Sequence, residues 1–353
     1  MHRPRREGAG GPGRHGVNGP KSRWRRAVFA LRPEECATLL LFLPIAFTLA
    51  RMSAARTDLL DGPAAAYPGA LARLVVLLSS TALGAWLVMA RPQWGFLRDA
   101  MPFVFCANIY GSLHDMIRFF HAPDITSALY QWDLSLFGFE PTIWAERFAH
   151  PVLTDYFTLC YWLFYVLGPM LGLFLYLRRD HRAFRYTMVT LVLCLFLGYI
   201  GYVAWPASAP RLFMPGAYTV PLHGLPLLDL TRTATVVVPL TAYGAFPSLH
   251  CAVALLAVLL AWRYQRWFFW VQVPFATGLV VGTVYLRHHW VVDILAGFVL
   301  TFVAYWAGPR VEDWWTRHAA GGLASDLAHP AGTAKQIREP EPATRVAAKV
   351  MES

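Results

Sequence analysis

The stretch RHHWVVDILAGFVLTFVAYWAG, Arg287 to Gly308, decides the fold. From Val291 onward it carries one charge, Asp293, and otherwise runs apolar to Gly308. A helix crossing a bilayer needs about 20 predominantly apolar residues, because the hydrocarbon layer offers the backbone no partner and every amide must be bonded within the segment. Working outward, the same yardstick selects segments near 36–54, 71–90, 100–117, 156–177, 187–205, 249–263 and 267–286, so that 291–308 is the last of eight. Composition agrees: the 353 residues are 56% hydrophobic and 15% charged, more apolar than a soluble domain and short of the charges that would cover one. The expected fold is all-α, a polytopic transmembrane helical bundle of about eight spans.

The net charge of +10 would suit a nucleic-acid partner if it lay on a folded surface, but it is concentrated at one end. Arg3, Arg5, Arg6, Arg14, Lys21, Arg23, Arg25, Arg26 and Arg32 face Glu7 alone. This Gly/Pro/Arg-rich leader lacks apolar periodicity, so residues 1–33 read as a disordered basic cytoplasmic tail, with no nucleic acid expected. Residues 310–353, of mixed charge and Ala/Pro/Glu bias, read as a second disordered tail. Between them lie N-terminal transmembrane helices (34–99) and a membrane domain (100–309). Cytoplasmic loops are enriched in Lys and Arg. With the leader inside, the inner loops hold Arg91 and Arg98, then Arg178, Arg179, Arg182 and Arg185, then Arg263 and Arg266. The expectation is a multi-pass plasma-membrane protein with both termini cytoplasmic. Its outer segments are 55–70, 118–155, 206–248 and the turn 287–290. The length of 206–248 points to a short helix or lid.

This topology sets His250 at the start of the sixth span and His289 and Asp293 at the start of the eighth, on one outer face, with Arg211 just beyond the fifth. A histidine at a helix end is, by itself, an ordinary interfacial residue. Three ionisable groups at matching depth are a site. His289 and Asp293 stand one helical turn apart, so the carboxylate can accept a hydrogen bond from the imidazole. Two helix N-termini meeting there would favour an anion, Arg211 and Arg287 can offer forked donors to phosphate oxygens, and Ser248 a hydroxyl. One histidine, oriented by Asp293, can then attack phosphorus while the other protonates the leaving oxygen. His288 points to another helix face and reads as a bystander. Asp115, Arg118, His121, Asp124, Asp133 and Asp155 read as a solvated loop, with Asp155 and Tyr161 the preferred groups for recognising a hydroxyl acceptor. The five cysteines lack zinc or redox spacing, and no metal or cofactor is expected.

Pro247-Ser248-Leu249-His250 followed by His289-x-x-x-Asp293 resembles the second and third motifs of the type 2 phosphatidic acid phosphatase superfamily. The resemblance implies a six-helix core, a phosphohistidine at His289, Asp293 as its orienting partner, His250 as general acid, and a metal-free reaction on a lipid phosphate in the bilayer. The chain departs from the commonest form: Leu249 stands where Gly is usual, and Gly282-Thr283 replaces the Ser-Arg pair upstream of the histidine, leaving Arg287 and Arg211 to hold the phosphate. The usual first motif is absent, whereas Trp205-Pro206-x-x-x-Pro210-Arg211 is present. With Tyr285-x-x-x-His289, and weaker agreement through Asp133, Gly138, Pro141, Pro151, Asp155 and Tyr161, this looks like the branch containing inositol phosphorylceramide synthase. The implied activity is cleavage of a lipid phosphoester at the outer leaflet, with transfer to or from an inositol-type headgroup. The alternatives are a plain lipid phosphate or polyprenyl diphosphate phosphatase and, in another class, a transporter or channel, whose ionisable groups would line the bilayer midplane.

Overall fold

The computed structural model describes residues 28–55, 69–90, 94–120, 122–225 and 243–320. Among them the chain is helical, and its only extended pairing is an isolated bridge between Ala207 and Gly244. A helix occupies each of the eight expected segments: α1 (Pro33–Ala55), α2 (Ala70–Ala90), α3 (Gly95–Phe120), α5 (Pro151–Leu177), α6 (His181–Ala204), α7 (Leu249–Tyr264), α8 (Arg266–Tyr285) and α9 (Val291–Ala320). Six are long and apolar enough to cross a membrane. The other two are α7, at 16 residues, and α3, which carries Arg98 and Asp99 at one end and Asp115 and Arg118 at the other.

Local chemistry sets the boundaries. α5 begins where His150 accepts from the Val152 amide and Pro151 supplies a preset φ, and α6 begins where the Asp180 carboxylate accepts from Ala183. α6 is the central element, two-thirds buried, packed among α3, α5, α7 and α9. α2 is the most peripheral, lying against α1 and α3. Because the helices alternate in direction, one end of the bundle gathers the N-termini of α5, α7 and α9, and the other gathers the turns at 178–180 and 265. The second, called the distal end here, is where Arg178 reaches Gln265 and Trp315 donates to the Leu31 carbonyl.

Three sequence expectations change. The segment 118–155 contains a further helix, α4 (Thr126–Phe137), closed by Gly138 at φ 73°, and a short turn of helix at Pro141–Trp144. Twelve residues are too few to span, so a search for spans passes over α4. Of the tail expected over residues 310–353, residues 310–320 belong to α9, and residues 321–353 lie outside the described residues. The last turns of α9 are held because Glu312 pairs with Arg185 and Phe29 packs against Trp315 with ring centroids 5.1 Å apart. The same contact orders residues 28–33, which the leader was expected to include. In 206–248 the structure has the short helical turns Pro210–Phe213 and Pro215–Ala217; residues 226–242 of the expected lid lie outside the described residues.

Candidate active site

α8 ends in a Schellman turn: the Arg287 amide donates to Val284 (3.0 Å) and the His288 amide to Thr283 (2.8 Å). Arg287 takes φ 63°, a left-handed conformation normally left to glycine and costing a side-chain-bearing residue about 1 kcal/mol. The chain thereby reverses within a few residues, and α9 starts at Val291 with His289 just ahead of it. Asp293, fully buried, receives the Trp290 amide on Oδ2 at 3.1 Å. His289 Nδ1 lies 3.1 and 3.3 Å from its two oxygens. On its other side His289 Nε2 faces His250 Nδ1 at 3.3 Å. With Nδ1 donating to the carboxylate, Nε2 keeps its lone pair and His250 Nδ1 supplies the proton between the rings. Burial, and after it the charge of Arg211, pushes the His289 pKa down to about 3, against a smaller opposing backbone hydrogen bond at Ala245. The ring is neutral at physiological pH.

His250 is carried by the first turn of α7. Ser248 caps that helix, its Oγ accepting from the Cys251 amide at 3.3 Å, while its own amide donates to the Asp293 carbonyl at 3.0 Å. The two helix starts are pressed together at Gly297, where a Cβ would stand 2.5 Å from the Ser248 oxygen. Any side chain there would force α7 and α9 apart. Tyr161 of α5 stacks on both His250 (4.5 Å between centroids) and His288 (4.6 Å), and Phe164 packs on His250 at 4.6 Å.

Arg211 approaches through its backbone, donating its amide to the Arg287 carbonyl at 3.2 Å. Its guanidinium is buried, with Nε and Nη1 unmatched by any hydrogen-bond acceptor. Among the described residues it has no salt bridge, and its charge bears on both site histidines. Burial holds its pKa below the ordinary arginine value.

Not every expected residue reaches this cluster. Arg287 directs Nη2 to Glu146 (2.9 Å) and to the Val220 carbonyl, with its guanidinium 4.1 Å above the Tyr218 ring. Its charge is matched by Glu146, which also fastens Thr219 through backbone and hydroxyl. Tyr285 turns its hydroxyl to the His150 amide (3.0 Å) and Thr154 (2.9 Å), tying α8 to the start of α5. Asp155 receives the Leu225 amide at 2.9 Å. The helix N-termini are also not an open anion seat. Val291 and Val292 each donate to Asp133 at 2.9 Å, Trp290 to Asp293 and Cys251 to Ser248, so side chains of the protein already cap them. Among the described residues, the buried guanidinium of Arg211 keeps two nitrogens without an acceptor.

Sequence reasoning missed His288, Phe164 and Asp133. The last, read as part of a solvated loop, is fully buried. Thr126, Leu129 and Asp133 recur on one face of α4, a helical spacing that marks a docking face. His121 lies outside the described residues.

Residues 127–307, just over half of the chain, match the PAP2 superfamily. The chain belongs to the PAP2 superfamily. Membership supports a phosphoryl-transfer enzyme, and the apolar helices make this chain an integral membrane protein. The chain is also 41% identical over 64 residues to inositol phosphorylceramide synthase of Candida albicans. That stretch is 18% of this chain and 13% of the relative, so the chain spans only a small part of that protein's length in the match. No solved structure matches the chain.

Proposed function

We propose that the protein cleaves a lipid phosphoester through a phosphohistidine at His289 and passes the phosphoryl-bearing group to an acceptor hydroxyl. The observation that carries this reading is the line Asp293, His289, His250 beside a buried guanidinium that has no counterion among the described residues. The lone pair on His289 Nε2 forms a bond to phosphorus as the bond from phosphorus to the leaving oxygen breaks; His250, having taken up a second proton from solvent as the anionic substrate binds, delivers one proton to that oxygen and is left neutral. Asp293 holds the Nδ1 proton as positive charge develops on His289, and Arg211 offsets the negative charge on the phosphoryl oxygens. In the second half, His250 takes the proton of the incoming hydroxyl as its oxygen attacks phosphorus and the bond from phosphorus to nitrogen breaks.

An inositol-type group as donor or acceptor is supported by the motif variants and by the short match to inositol phosphorylceramide synthase. Exposure to the outer leaflet is supported by the loops at the distal end, which carry Arg178, Arg179, Arg182, Arg263 and Arg266. Purified protein would be given labelled phosphatidylinositol with and without a lipid alcohol, phosphatidic acid, and a polyprenyl phosphate. Labelled headgroup transferred to the alcohol is expected; free phosphate as the sole product would replace transfer by hydrolysis. His289→Ala should lower turnover by about a thousandfold or more with folding intact, and retained turnover would refute the phosphohistidine.

A further inference from the structure

We infer that Asp133 is a positioning residue for the reaction, acting on His289 through the first turn of α9; this rests on the function proposed above. Its carboxylate lies entirely out of solvent on the docking face of α4, far in sequence from the residues it serves. One oxygen accepts from the Val291 amide and the other from the Val292 amide, both at 2.9 Å. These two residues separate Trp290, whose amide binds Asp293, from Asp293 itself. A carboxylate holding two successive amides through different oxygens fixes the rotation of that turn about the helix axis. That rotation sets the angle at which Asp293 meets His289 Nδ1.

A second set of contacts makes the docking rigid. The Ile125 amide, at the head of α4, donates to the Pro206 carbonyl at 2.9 Å, and Thr126 Oγ1 accepts from the Ser208 amide at 2.8 Å. The Trp290 indole donates to the Ser208 carbonyl at 2.9 Å. Trp290, fully buried, packs with Leu129 of α4 and Ala207. α4 thus holds at once the loop leading to Arg211 and the turn bearing His289. An ordinary helix cap would need only a serine or an asparagine on α9's own chain. Here the cap comes from a separate helix and is buried as a carboxylate, a costly arrangement unless its geometry matters.

The probe is orthovanadate, which adopts the five-coordinate geometry of phosphorus under attack, compared with inorganic phosphate, which does not. Both would be titrated onto purified full-length protein in detergent. Asp133→Ala should weaken vanadate binding about tenfold or more while phosphate binding changes less than about threefold, because orientation of the nucleophile matters only to the transition-state mimic. Asp133→Asn, which keeps one acceptor oxygen, should recover part of the loss and serves where the alanine variant does not fold. In an Asp293→Asn background, Asp133→Asn should cost nothing further, since its effect passes through Asp293. Equal losses for both anions, additive effects in the double variant, or wild-type vanadate affinity in both Asp133 variants would overturn the inference. If wild-type protein binds vanadate no differently from His289→Ala, the proposed function fails first and takes this inference with it.

Discussion

The bundle buries an arginine at each end, and the two are treated in opposite ways. At the distal end Arg185 meets Glu34 through two hydrogen bonds of 2.6 and 3.0 Å and Glu312 through two more of 3.0 and 3.1 Å. Nearby, Arg98 forks onto Glu35 at 2.6 and 2.7 Å, and Arg32 pairs with Asp99. At the site end Arg211 has no carboxylate among the described residues, and two of its nitrogens are unmatched. A buried cation matched within the fold is structural. One left unmatched lowers stability and persists where something from outside completes it. The turns reverse the contrast. Arg179 and Arg287 both close helices in the left-handed conformation, but Arg179 is exposed, while Arg287 is drawn onto Glu146 and Tyr218.

Breaking the distal end should cost the most. Glu34→Ala strips Arg185 of its closest partner and should destabilise the protein by about 3–5 kcal/mol, read as a lower melting temperature in detergent, with turnover per folded molecule unchanged. A loss of turnover that exceeds the loss of folded protein would show the two ends to be coupled. Arg211→Ala should do the reverse: turnover falls about a hundredfold or more, while the melting temperature holds or rises because an unmatched buried charge has been removed. Unchanged turnover would take away the anion seat. The smallest effect concerns pH. Since the His289 pKa is pushed from 6.5 to about 3, the folded protein binds fewer protons than the unfolded chain between those values, so stability rises with pH through that window and is lost as pH falls. His289→Gln should flatten that part of the stability profile relative to the parent; an identical slope in both would contradict the buried neutral ring.

How much of this was legible in the sequence depended on the range of the interaction. The spans follow from runs of apolar side chains, and the His289–Asp293 contact follows from one helical turn. Both are local. Arg287 seemed equally available to phosphate, but its fate was decided by Glu146, more than a hundred residues away, which no spacing reveals. Tyr285 and Asp155 were likewise claimed by distant backbone at His150 and Leu225. Asp133 looked like loop because α4 is too short to register as a span and its partners are amides, which have no signature in a sequence. The helix starts seemed open for the same reason: whether an amide is capped depends on what folds over it.

The contact between the two histidine rings has one more consequence. A nucleophile and an acid working on the same phosphoryl group each stand about 3 to 3.5 Å from the atom they act on, so the nitrogens must be about 6 Å apart. In the resting structure they are 3.3 Å apart. Under the proposed reaction each ring therefore occupies its neighbour's place for the substrate, and the protein is its own first competitor: a phosphate group would gain entry only by giving the pair more than they give each other.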